Sequence, residues 1–141
     1  MIQSLQGEPS VHAWTVPGVI NSNGLGTFFA CTNALSSSAT IGVEVFGAAG
    51  GAALNDASAT SLTLMPGATA LFGTSLAAGL PVSSDLQTGF VFNGSARVLT
   101  TTSVKASQGI LCSAFVADAV NAPPTSMTSL TVVRRATQQG N

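Results

Sequence analysis

Along the chain, short runs of β-branched and aromatic residues alternate with polar or small ones, and Gly, Pro, Asn or Asp interrupts them about every 8 to 15 residues. That period of two predicts strands. The clearest run is Ala39–Phe46, where Ile41, Val43 and Val45 fall on one face and Gly42 and Glu44 on the other, as in a strand with one face on a core. Residues 13–20 form a second strand, which Pro17-Gly18 marks as an edge or a bulge. In residues 27–33, register decides which of Phe28 and Phe29 is buried. Residues 107–117 set Ile110, Cys112, Ala114 and Val116 against Leu111, Ser113 and Phe115, the pattern of a central strand buried on both faces. Residues 127–135 form the last strand, ending in Arg134-Arg135.

The connections carry turn chemistry. Pro66-Gly67 fits the central pair of a type II turn, where Gly supplies the positive φ. Asn93-Gly94, between two alternating runs, predicts a two-residue hairpin turn within 90–98. Residues 47–57 read as a mobile Gly/Ala loop, 76–86 as a loop or short helical turn, and 118–125 as a loop stiffened by Pro123-Pro124. No stretch predicts a long amphipathic helix, because the Ala-rich segments are also rich in Gly, Ser and Thr. The expected fold is all-β: a single antiparallel β-sandwich, Ig-like or jelly-roll-like, of about seven to eight short strands. It occupies residues 13–135, between an N-terminal extension (1–12) and a polar tail (136–141).

Composition sharpens this picture. Apolar residues make up 45% of the 141 positions and charged ones 6%, against about 25% charged in an ordinary domain. Such a chain folds, and its surface is made of Ser, Thr, Ala, Gly and Asn. With a formal net charge of −1, copies repel one another weakly, so copies of itself are the expected partners. Four basic residues, Arg97, Lys105, Arg134 and Arg135, are too few to neutralise a phosphate backbone, which excludes nucleic acid. No run approaches the roughly 18 apolar residues of a membrane span, so none is expected. Residues 1–20 lack a basic n-region and an apolar h-region, so no secretory signal is read there. A processed exported chain and a chain retained in the cell both fit.

Candidate chemistry is sparse. Cys31 and Cys112 lie in separate strand runs; they form a disulfide if both face one core, or else remain two buried thiols. A bridge would close a loop of about 80 residues, worth about 4 to 5 kcal/mol. His12 is the single histidine and the five acids, Glu8, Glu44, Asp56, Asp85 and Asp118, are scattered, so no catalytic residue is assigned. Asn55-Asp56, Asp118 and Asn121 could offer oxygen ligands if their loops met, but their spacing matches no calcium loop; no metal and no cofactor are expected. Gly24-Leu25-Gly26 precedes a strand rather than a helix, which excludes a phosphate loop. Asn93-Gly94-Ser95 fits the N-glycosylation pattern as well as a turn. Trp14, near the Pro-Gly bend, is the candidate ring for stacking on a ligand.

Several short motifs carry a resemblance. Thr15-Val16-Pro17-Gly18, Gly26-Thr27-Phe28-Phe29 with Cys31-Thr32-Asn33, Leu64-Met65-Pro66-Gly67-Ala68-Thr69 and Gly94-Ser95-Ala96-Arg97-Val98 resemble a recurring uncharacterised bacterial exported β-sandwich domain, over about 85% of the chain. Trp14-Thr15-Val16-Pro17-Gly18 and Ile41-Gly42-Val43-Glu44-Val45-Phe46 are also similar to the soluble transducer of microbial sensory rhodopsins, a small oligomeric β-sandwich, although this chain is far less charged. These resemblances imply export and assembly and supply no catalytic residues. The expected function is a non-enzymatic extracellular or cell-surface structural module that self-associates as a surface layer, filament or matrix subunit. The alternative is a β-sandwich module that binds carbohydrate or another surface ligand, with a cell-surface glycan as partner.

Overall fold

The computed structural model describes residues 2–134, which build a two-layer β-sandwich. Its strands are β1 (Val11–Asn21), β2 (Leu25–Asn33), β3 (Ala39–Phe46), β4 (Leu62–Leu64), β5 (Thr69–Gly73), β6 (Ser84–Asp85), β7 (Val91–Thr100), β8 (Ile110–Asp118), β9 (Met127–Leu130) and β10 (Val133–Arg134). Sheet I has the order β10-β1-β7-β3-β4 and sheet II the order β6-β5-β2-β8-β9. All pairings are antiparallel except β5 with β6. Six of the nine connections between successive strands pass from one sheet to the other.

The core lies between the sheets. Sheet I contributes Val16, Val19, Ile41, Val43, Val45, Ala96 and Val98, and sheet II contributes Phe29, Cys31, Phe72, Ile110 and Ala114, all buried. Burying each of the larger side chains contributes about 1.5 to 3 kcal/mol. At Pro17-Gly18 the β1/β7 register shifts and Gly18 takes φ +85°, so the expected irregularity is a bulge. Among the described residues β10 pairs with β1 at Trp14 and Thr15, which leaves Pro17, with no N–H to offer, on open edge. At Pro66-Gly67 the chain turns from β4 to β5: Gly67 has φ +82° and the Ala68 N–H donates to the Met65 carbonyl at 3.0 Å. This turn is a corner between sheets. Buried Asn33 pins it, its Nδ2 donating to the Ser37 and Leu64 carbonyls at 2.9 Å each while its Oδ1 accepts from the Leu35 N–H.

Several expectations are corrected. Asn93-Gly94 is not a hairpin turn: it lies inside β7, which runs unbroken between β1 and β3. Gly94 is there for space, since a Cβ would collide with the Phe46 carbonyl and the Val91 side chain. Phe28 and Phe29 are both fully buried, so register does not choose between them. Phe29 enters the core, while Phe28 stacks on Phe115 at 5.6 Å on the outer side, over the bare backbones of Gly26 and Gly73. β3 is buried on both faces, Glu44 included, because residues from the N-terminal segment and from the 55–57 stretch cover its outer side. β8 is open on the side of Leu111 and Ser113 rather than buried on both faces. The last predicted strand is two, β9 in sheet II and β10 in sheet I, because the chain crosses the sandwich at residues 131–132. Arg135 and the predicted tail 136–141 lie outside the described residues.

Candidate functional site

The two outer faces of the sandwich differ. On sheet I, the alternation that sends Val43 and Val98 inward sends Glu44 and Phe46 of β3, and Ser95, Arg97 and Leu99 of β7, outward. The N-terminal segment, read as an extension, packs on this face. Leu5 is fully buried in a small cluster with Leu99 and Ala57, seated against the backbone of Gly42. Gln3 ties segment to sheet: its N–H donates to Glu44 Oε2 at 3.2 Å, its Nε2 to the Asn55 carbonyl at 3.2 Å, and its Oε1 accepts from the Ala57 N–H at 2.9 Å.

Glu44 and Arg97 are direct cross-strand partners, and their charged groups meet at 2.8 Å with Glu44 only 1% exposed. The guanidinium also lies 4.7 Å from the centre of the Phe46 ring. Arg97 Nε has no hydrogen-bond partner, and Glu44 Oε1 has only the ion-pair contact. Within the stretch 47–57, expected to be a mobile loop, residues 47–53 overhang this pair and the chain returns to β3 at residues 54 and 55. The Leu54 N–H donates to the Val45 carbonyl at 2.7 Å, and the Asn55 carboxamide accepts from the Val45 N–H and donates to the Val43 carbonyl, each at 2.8 Å. Between loop and sheet lies a cleft of about 810 Å³, lined by Thr15, Glu44, Phe46, Ser95, Arg97 and the Gly/Ala backbone of the loop. At the start of β7, Phe92 and the preceding Phe90 stand in solvent, 72% and 78% exposed, with rings nearly parallel at 6.2 Å. Both lie opposite buried Val91, on the outer side. The sequence concealed this pair, because the hairpin reading made 90–92 a strand arm.

The outer face of sheet II is more open. Its cross-strand rows run Leu71, Ala30, Ser113 and Thr69, Thr32, Leu111, with the Thr32 and Thr69 hydroxyls 2.6 Å apart. Leu111 is 49% exposed, and neither row contains a charged residue.

The remaining candidate residues are dispersed. Cys31 and Cys112 are Cα partners on adjacent strands β2 and β8 and are joined as a disulfide facing the core. Trp14 is half-buried: its indole N–H donates to the Ile110 carbonyl at 2.7 Å, and the Arg134 guanidinium covers the ring at 4.5 Å, so a stacking ligand would have to displace that arginine. His12 Nε2 lies 2.8 Å from Thr15 Oγ1 and 3.1 Å from the Trp14 carbonyl oxygen. Asp118 does not meet Asn55-Asp56: Asn55 is engaged on β3, and Asp56 Oδ1 accepts from the Ser58 and Ala59 N–H groups.

Asp118 instead organises its own loop. Its carboxylate accepts from the Asn121 side chain at 2.7 Å, the Val120 N–H at 2.8 Å and the Thr125 hydroxyl at 2.8 Å, with longer bonds from the Thr125 and Asn121 N–H groups. The Asn121 amide first, then the Val120 N–H and Thr125, hold its pKa far below the usual carboxylate range. Among the described residues no three His, Cys, Asp or Glu side chains converge as metal ligands, and no helix is long and apolar enough to cross a membrane. No protein-family model, curated protein or solved structure matches the chain.

Proposed function

We propose that the protein is a non-enzymatic structural module that works outside the cell and associates with copies of itself through the outer face of sheet II. The observation that carries this reading is the open face around Ala30, Thr32, Leu71 and Leu111, which has methyl and hydroxyl groups and no charge in its central rows. Two copies meeting there separate no ion pairs and desolvate no isolated charge. The edges favour face contact over strand addition, since the outermost strands β4, β6 and β9 span only two to four residues. The disulfide supports an oxidising compartment.

Sedimentation velocity over a hundredfold concentration range tests the reading. Wild type is expected to shift to larger species with concentration, and Leu111→Lys, which sets a charge on the face, to remain monomeric. A wild type that stays monomeric throughout overturns it. A second reading, a module that binds a surface ligand, is favoured by the cleft beside Glu44 and Arg97 and by the exposed Phe90 and Phe92.

A further inference from the structure

We infer that the cleft under the 47–53 loop, together with the Phe90 and Phe92 rings, forms one elongated binding site for a neutral oligosaccharide; this rests on the ligand-binding reading. The cleft, at about 810 Å³, is within the 300 to 1,000 Å³ range of small-molecule sites. In its floor the Arg97 side chain stays 26% exposed, and the guanidinium can donate there to a ligand hydroxyl, while Glu44, at 1%, and the unpaired Arg97 Nε lie buried beneath that surface. Thr15 and Ser95 add hydroxyls at the same walls.

Charge selects the ligand class. Glu44 and Arg97 neutralise each other at 2.8 Å, so a cationic or anionic ligand would have to compete with a pair already formed. A polyhydroxyl ligand binds without separating it. The aromatic pair sets the length: Phe92 precedes Ser95 by three residues, across the bulge between Val91 and Gly94 that brings both to the outer side of β7, a span of roughly 10 Å at about 3.3 Å per residue. A ligand engaging both needs several rings in a row. The flat exposed faces of Phe90 and Phe92 suit the apolar C–H face of a pyranose, while the cleft takes its hydroxyl edge.

The test is titration calorimetry with amide NMR, using cellotetraose, maltotetraose, tetra-N-acetylchitotetraose and, as the anionic probe, tetragalacturonate. Two variants alter exposed residues and leave the core intact: Ala52→Trp fills the cleft from the loop, and Phe90→Ser/Phe92→Ser removes the aromatic pair. At least one neutral tetrasaccharide is expected to bind, with shifts at residues 47–53 and 90–97. Each variant is expected to weaken it at least tenfold, and raising NaCl to 0.5 M to change it less than twofold. Retained binding in Ala52→Trp removes the cleft from the site and overturns the inference, as does binding of tetragalacturonate but of none of the neutral sugars; that second outcome leaves the ligand-binding reading standing. Failure of all four probes removes both the inference and the carbohydrate form of that reading, while sedimentation judges self-association independently.

Discussion

The Asn55 side chain stands beside Val45 as a substitute for a missing strand. β4 covers the edge of β3 only from Ala39 to Ile41, and further along it is the Asn55 carboxamide that accepts from the Val45 N–H and donates to the Val43 carbonyl. Asn55→Ala leaves both backbone groups without partners and is expected to cost about 2 kcal/mol in equilibrium urea unfolding, since each unsatisfied group costs about 1 to 3 kcal/mol. Asn55→Asp is expected to cost more at neutral pH, because an acceptor then faces the Val43 carbonyl. An Asn55→Asp protein more stable than Asn55→Ala would contradict this geometry.

Glu44 is buried, and among the described residues Arg97 is the cation in contact with it. Arg97→Ala strands that carboxylate and is expected to destabilise the fold by about 3 kcal/mol. The double replacement Glu44→Leu/Arg97→Met is expected to recover most of the loss, because no charge remains to desolvate. Thermal and urea melts of the single and double variants decide it; a double variant no better than Arg97→Ala would mean the pair is needed for packing rather than charge.

Asp118 makes stability depend on acid. Its native pKa is depressed, so its contribution is complete above the ordinary aspartate value of about 3.9 and is lost as pH falls through the lower native value. Wild type is expected to lose thermal midpoint progressively from about pH 4 downward. Asp118→Asn is expected to start lower at pH 7 and to converge on wild type in acid. Parallel curves with a constant gap would exclude this role.

The disulfide joins neighbours within sheet II, already paired over nine positions from Leu25 to Asn33. Cys31→Ala/Cys112→Ala is therefore expected to keep the fold, with an unchanged far-ultraviolet spectrum, and to lose about 2 to 4 kcal/mol of stability. Collapse to a disordered spectrum at 25 °C would show that the β2/β8 pairing does not hold without the bridge.

The sandwich was legible where local chemistry and tertiary context agree. Pro66-Gly67 turns because Gly67 adopts positive φ, and Pro17-Gly18 bulges for the same reason in its neighbour. Asn93-Gly94 misled because the same dipeptide that favours a turn also permits close approach, and here the Phe46 carbonyl needs the space. That reading also hid the exposed Phe90 and Phe92. Burial of Glu44 was illegible because its cover comes from Gln3 and Leu5, some forty residues away, and no periodicity within β3 records what lies on its outer side.

The pairing scheme has a consequence for the order of synthesis. None of β1, β2 and β3 pairs with another of the three: β3 first finds a partner at β4, β2 at β5, and β1 at β7. As the chain emerges from the ribosome, Phe28 and Phe29 wait in an unpaired nascent segment until residues 69–73 follow, and Trp14 waits until residues 91–100. Such a chain makes no early hairpin that would have to be undone, and it depends on whatever shields those aromatic side chains in the interval.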